Sequence, residues 1–383
     1  MYYMLILTIM LCALSLFTEI LPNLYYHKIR GINNIFFYLF ALLMIILSIL
    51  RCNIGTDYNV YYNHFLQMNF DKFNESLPYI FASIYKISYS LDFPFHLTIV
   101  ICALCALIPL TKLIYQYNER YKLFGLALFV GLGYYALSYN FFRQFAAIGL
   151  AYIALQNFYN KKKLRFIIFT FLAIGFHSTI IPVILIGVIL YFWNPGKEVY
   201  FITSLSLVIF ILIPNTFWLD ILKNIIQLFK NIPRLSSYAV STDQDFMARI
   251  YDMNTPFFTK ISFIPLICFA TKMICDKKYC LKKLKREQYQ FLKLYYFYTV
   301  INCMKLGSEI VTRLLLTFSI CGIFAIPMIG EYIYCSCSSS SKKRWLAFLV
   351  LLVMIVFALY GIYFMYTQIA NNSGGVYPYQ TWL

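Results

Sequence analysis

Charge is scarce in this chain of 383 residues: only 12% is Asp, Glu, Lys or Arg, with 15 acidic residues against 32 basic ones. Soluble domains carry about twice that share, so a single core wrapped in a water-facing surface is excluded. Phosphate-cradling loops are missing as well. There is no GxxxxGK[ST] run and no GxGxxG after a strand pattern, which excludes nucleotide hydrolysis as the driving chemistry. HExxH and GxSxG are absent, and no paired Asp motif marks a metal site. The eleven Cys lie mostly inside apolar runs. Cys102 and Cys105 fall within one such run and Cys335 and Cys337 beside a serine run, without the His or Cys partners a zinc site needs. They are read as small apolar filler, and no metal or cofactor is expected. The first apolar run, residues 2–17, has no basic leader and no small-residue cleavage site, so it is read as a retained span.

What is abundant is apolar and aromatic surface. Hydrophobic residues reach 61% and aromatics 20%, with 37 Phe and 35 Tyr, and the mean hydropathy is +0.70. Tyr suits the membrane–water boundary. The net charge of +17 sits in short clusters between apolar runs, the pattern of cytoplasmic membrane loops rather than of a nucleic-acid surface. The partner implied is a lipid bilayer.

A span needs about 20 apolar residues, and its backbone groups must be paired internally, so spans are helices. Residues 2–21, 32–50, 96–114, 123–140, 143–159, 166–177, 179–193, 199–214, 256–275, 290–306, 314–331 and 345–366 qualify. The fold class expected is all-α: a polytopic protein of about 12 helices, forming one transmembrane domain over residues 1–383. Basic clusters at Lys28/Arg30, Lys161–Lys163/Arg165, Lys277–Arg286 and Lys342–Arg344 belong on the cytoplasmic side. They share one side only if 166–193 is two short helices, which places both termini outside. A basic loop at 276–289 is then internal. Two long loops, 51–95 and 215–255, are external, the first with an amphipathic stretch at Phe73–Leu91. Arg forms a larger share of the outer cations, and its planar fork suits phosphate or carboxylate.

Several outer residues carry chemistry. Arg51 is followed by Gly55, Thr56, Asp57, Tyr58 and Tyr61. Gly55 permits a tight turn that would return Asp57 and Tyr58 toward Arg51, clamping an anion while the carboxylate orients a hydroxyl. On residue types alone, Arg51 equally fits a snorkelling cation and Asp57 a helix cap. Arg143 and Gln144 open a span, where a charge is costly and usually faces a cavity or partner. His177 sits at a break between short helices, placed to act as general base or to donate to a phosphate. Glu309 and Arg313 share one helix face at i,i+4, either pairing with each other or adding a cation to an anion site. Arg249, in the most polar outer loop, rests on residue type and side alone.

The order of these motifs resembles the EpsG family of Wzy-like polysaccharide polymerases. The likeness is carried by Arg51-x-x-x-Gly55-Thr56-Asp57-Tyr58-x-x-Tyr61, by Arg143-Gln144, by His177-Ser178, by Arg313-Leu314 with Pro327, and by the tail Tyr377-Pro378-Tyr379. Such a resemblance implies a multi-pass enzyme of the bacterial cytoplasmic membrane. It transfers a glycan from undecaprenyl diphosphate to a lipid-linked repeat unit at the outer face, without a cofactor. The implied substrate-binding residues are Arg51, Tyr58, Tyr61, Arg143, Gln144, Arg249, Glu309 and Arg313, and the implied catalytic ones His177 and Asp57. A chain-length regulator and a flippase are further implied partners. The alternatives are a flippase-type transporter, which would show internal repeats and matched broken helices where this sequence shows one break, and an O-antigen ligase-like or acyl transferase.

Overall fold

The structure is a computed structural model and describes residues 3–20, 30–55, 57–66, 77–212, 257–303 and 309–335, with residues 359, 361–363, 366–367 and 381 near the C-terminus. All regular structure among these residues is helical, and the one extended pairing is an isolated antiparallel bridge between Arg51 and Thr381. The chain divides into two compact units, Met1–Ile184 with Gly322–Leu383, and Leu185–Cys321.

The helices run in order as α1 (Tyr3–Ser15, ending in a π-helical turn Leu16–Ile20), α2 (Arg30–Leu50), α3 (Tyr58–Leu66), α4 (Tyr79–Ser90), α5 (His96–Tyr117), α6 (Lys122–Gly131), α7 (Tyr134–Asn140), α8 (Phe142–Tyr159) and α9 (Lys163–Phe176). A 3-10 turn, Ser178–Ile180, leads into α10 (Ile181–Phe192), which crosses from the first unit to the second. The second unit continues with α11 (Glu198–Leu212), α12 (Phe257–Cys275), α13 (Lys277–Lys283), α14 (Arg286–Asn302) and α15 (Glu309–Ser319), and α16 (Gly322–Cys335) returns to the first. The loop 215–255, with Arg249, and nearly all of the expected last span lie outside the described residues.

The all-helical architecture agrees with the expectation of a polytopic membrane protein, and the count of long apolar helices is smaller among the described residues than the about twelve expected spans. Among the described residues two helices, Ile32–Leu50 and His96–Tyr117, are long and apolar enough to cross a bilayer, or up to four if each of two bent pairs counts as one span. The reason is local. Residues 123–140 are continuous in hydropathy, but Gly133 adopts a φ of +80° and the chain turns by 51° between α6 and α7. The stretch 314–331 is likewise interrupted between Ser319 and Gly322. Breaks are therefore more numerous than the one expected at His177, where α9 ends before the 3-10 turn.

α2 shows why membrane is the solvent. Phe37, Phe40, Ala41 and Met44 are buried, against α5 and α6. Its outward face is also apolar, with Ile32, Ile35, Leu39, Leu42, Leu43 and Ile46 exposed. A helix apolar on every face is either in a core or in lipid, and these side chains are not in the core.

Close crossings hold the first unit together. α8 packs on α5 and α9 through a small-residue surface that includes Ala146, Ala147, Gly149 and Ala154, all buried. A Cβ at Gly149 would lie 2.6 Å from the Cys105 carbonyl oxygen and 2.8 Å from that of Ala106. Helix ends are satisfied from a distance: the Glu19 carboxylate, 1% exposed, accepts from the backbone N–H of Leu123 at 2.8 Å and of Phe124 at 3.0 Å, capping the start of α6. In the second unit Lys293 lies inside α14 at 1% exposure. Its Nζ donates to the carbonyls of Leu190 and, at 2.9 Å, of Trp193, a cation placed at the C-terminal end of α10. Beside it, Thr203, Thr271 and Tyr296 share hydroxyl contacts of 2.7 and 3.1 Å that tie α11, α12 and α14 together.

Gly149→Ala is expected to destabilise the protein by about 1–3 kcal/mol through overpacking against backbone that cannot yield. Gly330→Ala, also in a helix but with nothing within 4 Å of the new Cβ, is expected to be neutral or stabilising. Thermal unfolding of the two variants in detergent checks this; equal Tm values would refute the tight crossing.

Candidate functional site

The site begins with the turn after α2. Gly55, at φ +102°, lies so close to the end of α7 that a Cβ there would sit 2.9 Å from the Tyr139 carbonyl oxygen. The Gly55 carbonyl accepts from the Tyr58 N–H at 3.1 Å, and the Asp57 carbonyl from the Tyr61 N–H at 3.1 Å, starting α3. The Asp57 N–H donates to the Asn140 side-chain oxygen at 3.2 Å. Two motifs far apart in sequence, the 51–61 turn and the 140–144 helix start, are thereby joined by backbone and side chain. The turn does fold back: the Tyr58 hydroxyl lies 3.5 Å from Cys52 Sγ. Burial pushes the Tyr58 phenol above its ordinary pKa, and the Cys52 contact adds to that, so the hydroxyl stays protonated.

Two guanidinium groups rest on a shared aromatic pedestal. Arg51 is 1% exposed. Its guanidinium lies 4.6 Å from the Tyr139 ring centre and 5.8 Å from that of Phe142, and it donates to the Ser138 carbonyl at 3.4 Å. Its Nε has no hydrogen-bond partner among the described residues. Arg143 is half-buried. Its guanidinium lies 4.6 Å from the Tyr61 ring centre and 5.0 Å from that of Phe81, and it donates to the Tyr61 hydroxyl. Phe142 connects the two seats, with its ring 5.2 Å from Tyr61 and 6.0 Å from Phe81. Tyr85 fixes the pedestal by donating to the Tyr61 carbonyl. The ion pair found among the described residues, Arg120 with Glu331 at 2.9 Å, involves neither arginine. Two cations thus share an apolar, aromatic setting in which no carboxylate among the described residues forms an ion pair with them, and such a setting favours an incoming anion.

His177 borders the same unit. α9 packs on α4, and the 3-10 turn after His177 packs on α8, the helix that starts at Arg143. Gly175 makes this possible, because a Cβ there would collide with Ile80 and Tyr79 of α4, and the Tyr79 hydroxyl donates to the Phe171 carbonyl. The His177 ring is half-exposed. Gln144 is buried beside Arg143.

The other expected site residues are placed differently. Arg313 and Glu309 lie on α15 of the second unit, with Arg313 half-buried, and Arg249 lies outside the described residues. Ser138, Tyr139, Phe81 and Tyr85 were not singled out by sequence. The signal that could have found Tyr139 is the density of Tyr and Phe immediately before Arg143; Phe81 and Tyr85, about sixty residues upstream, carry no such local signal.

A family model described as the EpsG family matches residues 34–381. The chain belongs to the EpsG family. Its members are Wzy-like polysaccharide polymerases, and the matched region contains both arginine seats and His177. No curated protein and no solved structure gives a match. The residues that this EpsG-family chain brings together, Arg51, Asp57, Tyr58, Tyr61, Arg143 and Gln144, come from two motifs that the sequence keeps about eighty positions apart.

Gly55→Ala is expected to cost about 1–3 kcal/mol locally, through strain at positive φ and the contact with Tyr139. Opening of the turn should expose Cys52, which is half-buried beside Tyr58. Maleimide labelling read by mass spectrometry should therefore rise at Cys52 and stay constant at Cys280; unchanged labelling at Cys52 would show that the turn tolerates a side chain.

Proposed function

We propose that this protein elongates a surface polysaccharide by moving a glycan from undecaprenyl diphosphate to a hydroxyl of a lipid-linked repeat unit, at the outer face of the bacterial cytoplasmic membrane. Membership of the EpsG family supports polymerisation, and the single structural observation that carries the chemistry is the pair of guanidinium groups, on Arg51 and Arg143, without carboxylate partners among the described residues.

In this scheme the acceptor hydroxyl oxygen bonds to the anomeric carbon of the donor. The anomeric carbon–oxygen bond to the diphosphate breaks, and its electron pair leaves with the diphosphate. The hydroxyl proton passes to a base, and the Asp57 carboxylate, on the turn that holds both motifs together, takes that role. Negative charge grows on the departing oxygen, so fixed cations aimed there stabilise the transition state more than the ground state. Arg143, half-exposed, presents a fork able to meet two phosphate oxygens. Arg51 is sealed beneath and contributes a fixed positive potential, undiminished by water. Tyr58 and Tyr61 offer hydroxyls and ring faces to sugar.

Deletion of the gene should cause lipid-linked single repeat units to accumulate, read by mass spectrometry of extracted glycolipids. Accumulation of full-length polymer on lipid would indicate a ligase, and repeat units confined to the inner leaflet a flippase. Complementation with Arg143→Lys, which keeps charge but loses the fork, should shorten the polymer and slow its synthesis about tenfold or more, the loss of one charge-assisted hydrogen bond. Wild-type chain length in that variant would remove the bidentate contact from the mechanism.

A further inference from the structure

His177 ends α9 in an extended conformation, at φ −162° and ψ 124°. Its own N–H donates to the Ala173 carbonyl at 3.1 Å, so the backbone is anchored while the side chain folds forward over the 3-10 turn. There the ring nitrogen Nδ1 accepts from the backbone N–H of Thr179 at 3.3 Å and lies 2.8 Å from the Thr179 hydroxyl oxygen.

A backbone N–H can only donate. Nδ1 must therefore offer a lone pair to it, and the neutral ring carries its proton on Nε2. The Thr179 hydroxyl then donates to the same nitrogen. The opposite tautomer would bring an Nδ1–H against the Thr179 N–H, and a doubly protonated ring would do the same. The lone pair that a general base needs is thus already committed to Thr179, on the far side of the ring from Nε2.

We propose that His177 serves the transfer reaction as a fixed hydrogen-bond donor, its Nε2–H directed to an anionic oxygen of the diphosphate, and not as the proton-abstracting base. The inference rests on the polymerase function proposed above. Its proton stays on Nε2 throughout, and the acceptor's proton goes elsewhere, to Asp57 in the scheme given. Three features fit this use. The ring is half-exposed. Gly175 lets α4 and α9 close around its backbone. The turn it caps packs on the helix that carries Arg143 in its first turn, so donor and fork sit on neighbouring elements of one unit.

The tautomer can be read without any activity. The chain has four histidines, and nitrogen-15 labelling of histidine in the full-length protein in lipid, compared with His177→Gln, isolates one ring by difference. The expected spectrum has a protonated Nε2 and an unprotonated Nδ1; the reverse, or a doubly protonated ring at neutral pH, overturns the proposal. Polymer synthesis by the variants supplies the second readout. A Gln amide nitrogen reaches about as far as Nε2 and donates but is not basic. His177→Gln is therefore expected to stay within about tenfold of wild type, while His177→Ala and His177→Asn lose about tenfold to a hundredfold, the worth of one hydrogen bond to a charged group. A general base would instead cost about 100- to 10,000-fold in all three alike, and that pattern rejects the donor role even if the tautomer is as expected. If the wild-type protein extends no glycan, the failure lies with the polymerase function, because the NMR measurement still reports the ring. If His177→Gln fails to insert, His177→Asn serves as the difference spectrum.

Discussion

Positive charge with no carboxylate partner among the described residues, held in apolar surroundings, is the constraint on which the first unit depends. Arg51 is sealed on Tyr139 and Phe142, where an unpaired ion is costly. The fold offsets that cost in three ways. The ring faces supply negative potential. The Ser138 carbonyl accepts a hydrogen bond and is one of the last carbonyls of α7, where the helix end carries partial negative charge. The turn at Gly55 brings the backbone within contact distance of Tyr139 and keeps water out. Remove any of these and the other two lose their purpose, since the break that ends α7, the turn that ends α2 and the buried guanidinium satisfy one another.

The same economy recurs at other helix ends. A chain in hydrocarbon has no water to finish its helices, so each broken end must borrow a group from elsewhere. Glu19 completes the start of α6, Lys293 the end of α10, and Arg51 the end of α7. The sign follows the helix dipole in each case, carboxylate at an N-terminus and cation at a C-terminus. Charged residues in this protein are few because most positions face lipid or core, and several of those that remain are spent on helix ends. Arg143 is different. It sits in the first turn of α8, where the dipole is unfavourable to a cation, and its seat is made by Tyr61 and Phe81 rather than by a helix end. A cation held against the local dipole gains more from an incoming anion than one that already completes a helix end, which is the physical ground for the role proposed for Arg143.

How much of this was legible in the sequence depends on range. Gly55 announced its turn because only a residue without Cβ takes that φ cheaply, and His177 announced its break because a polar ring interrupts an apolar run. The two motifs around Arg51 and Arg143 could each be found, but their union through Asn140 could not, because an amide about eighty residues away carries no local pattern. Gly133 was missed for the opposite reason: a glycine within an unbroken apolar run leaves hydropathy continuous, while its positive φ turns the chain. Glu19 and Lys293 were likewise hidden, since a charge near a span edge reads as a snorkelling group until its partner is seen. Hydropathy reports the solvent of a segment and not its straightness, which is why apolar stretches were recovered better than helix lengths.

The breaks also bear on what the site can do. Backbone that is not helical at membrane depth is tolerated where protein or a cavity surrounds it, and α7, α8 and the 3-10 turn after His177 place three such irregular points within one unit. Each break sets a polar group against a neighbour: the Ser138 carbonyl accepts from Arg51, the Asn140 side-chain oxygen accepts from the Asp57 N–H, and the His177 ring nitrogen accepts from the Thr179 N–H. In every case one side of the group is fixed by the protein. In the function proposed above, side chains held in this way lose the entropy of ordering on folding rather than on binding.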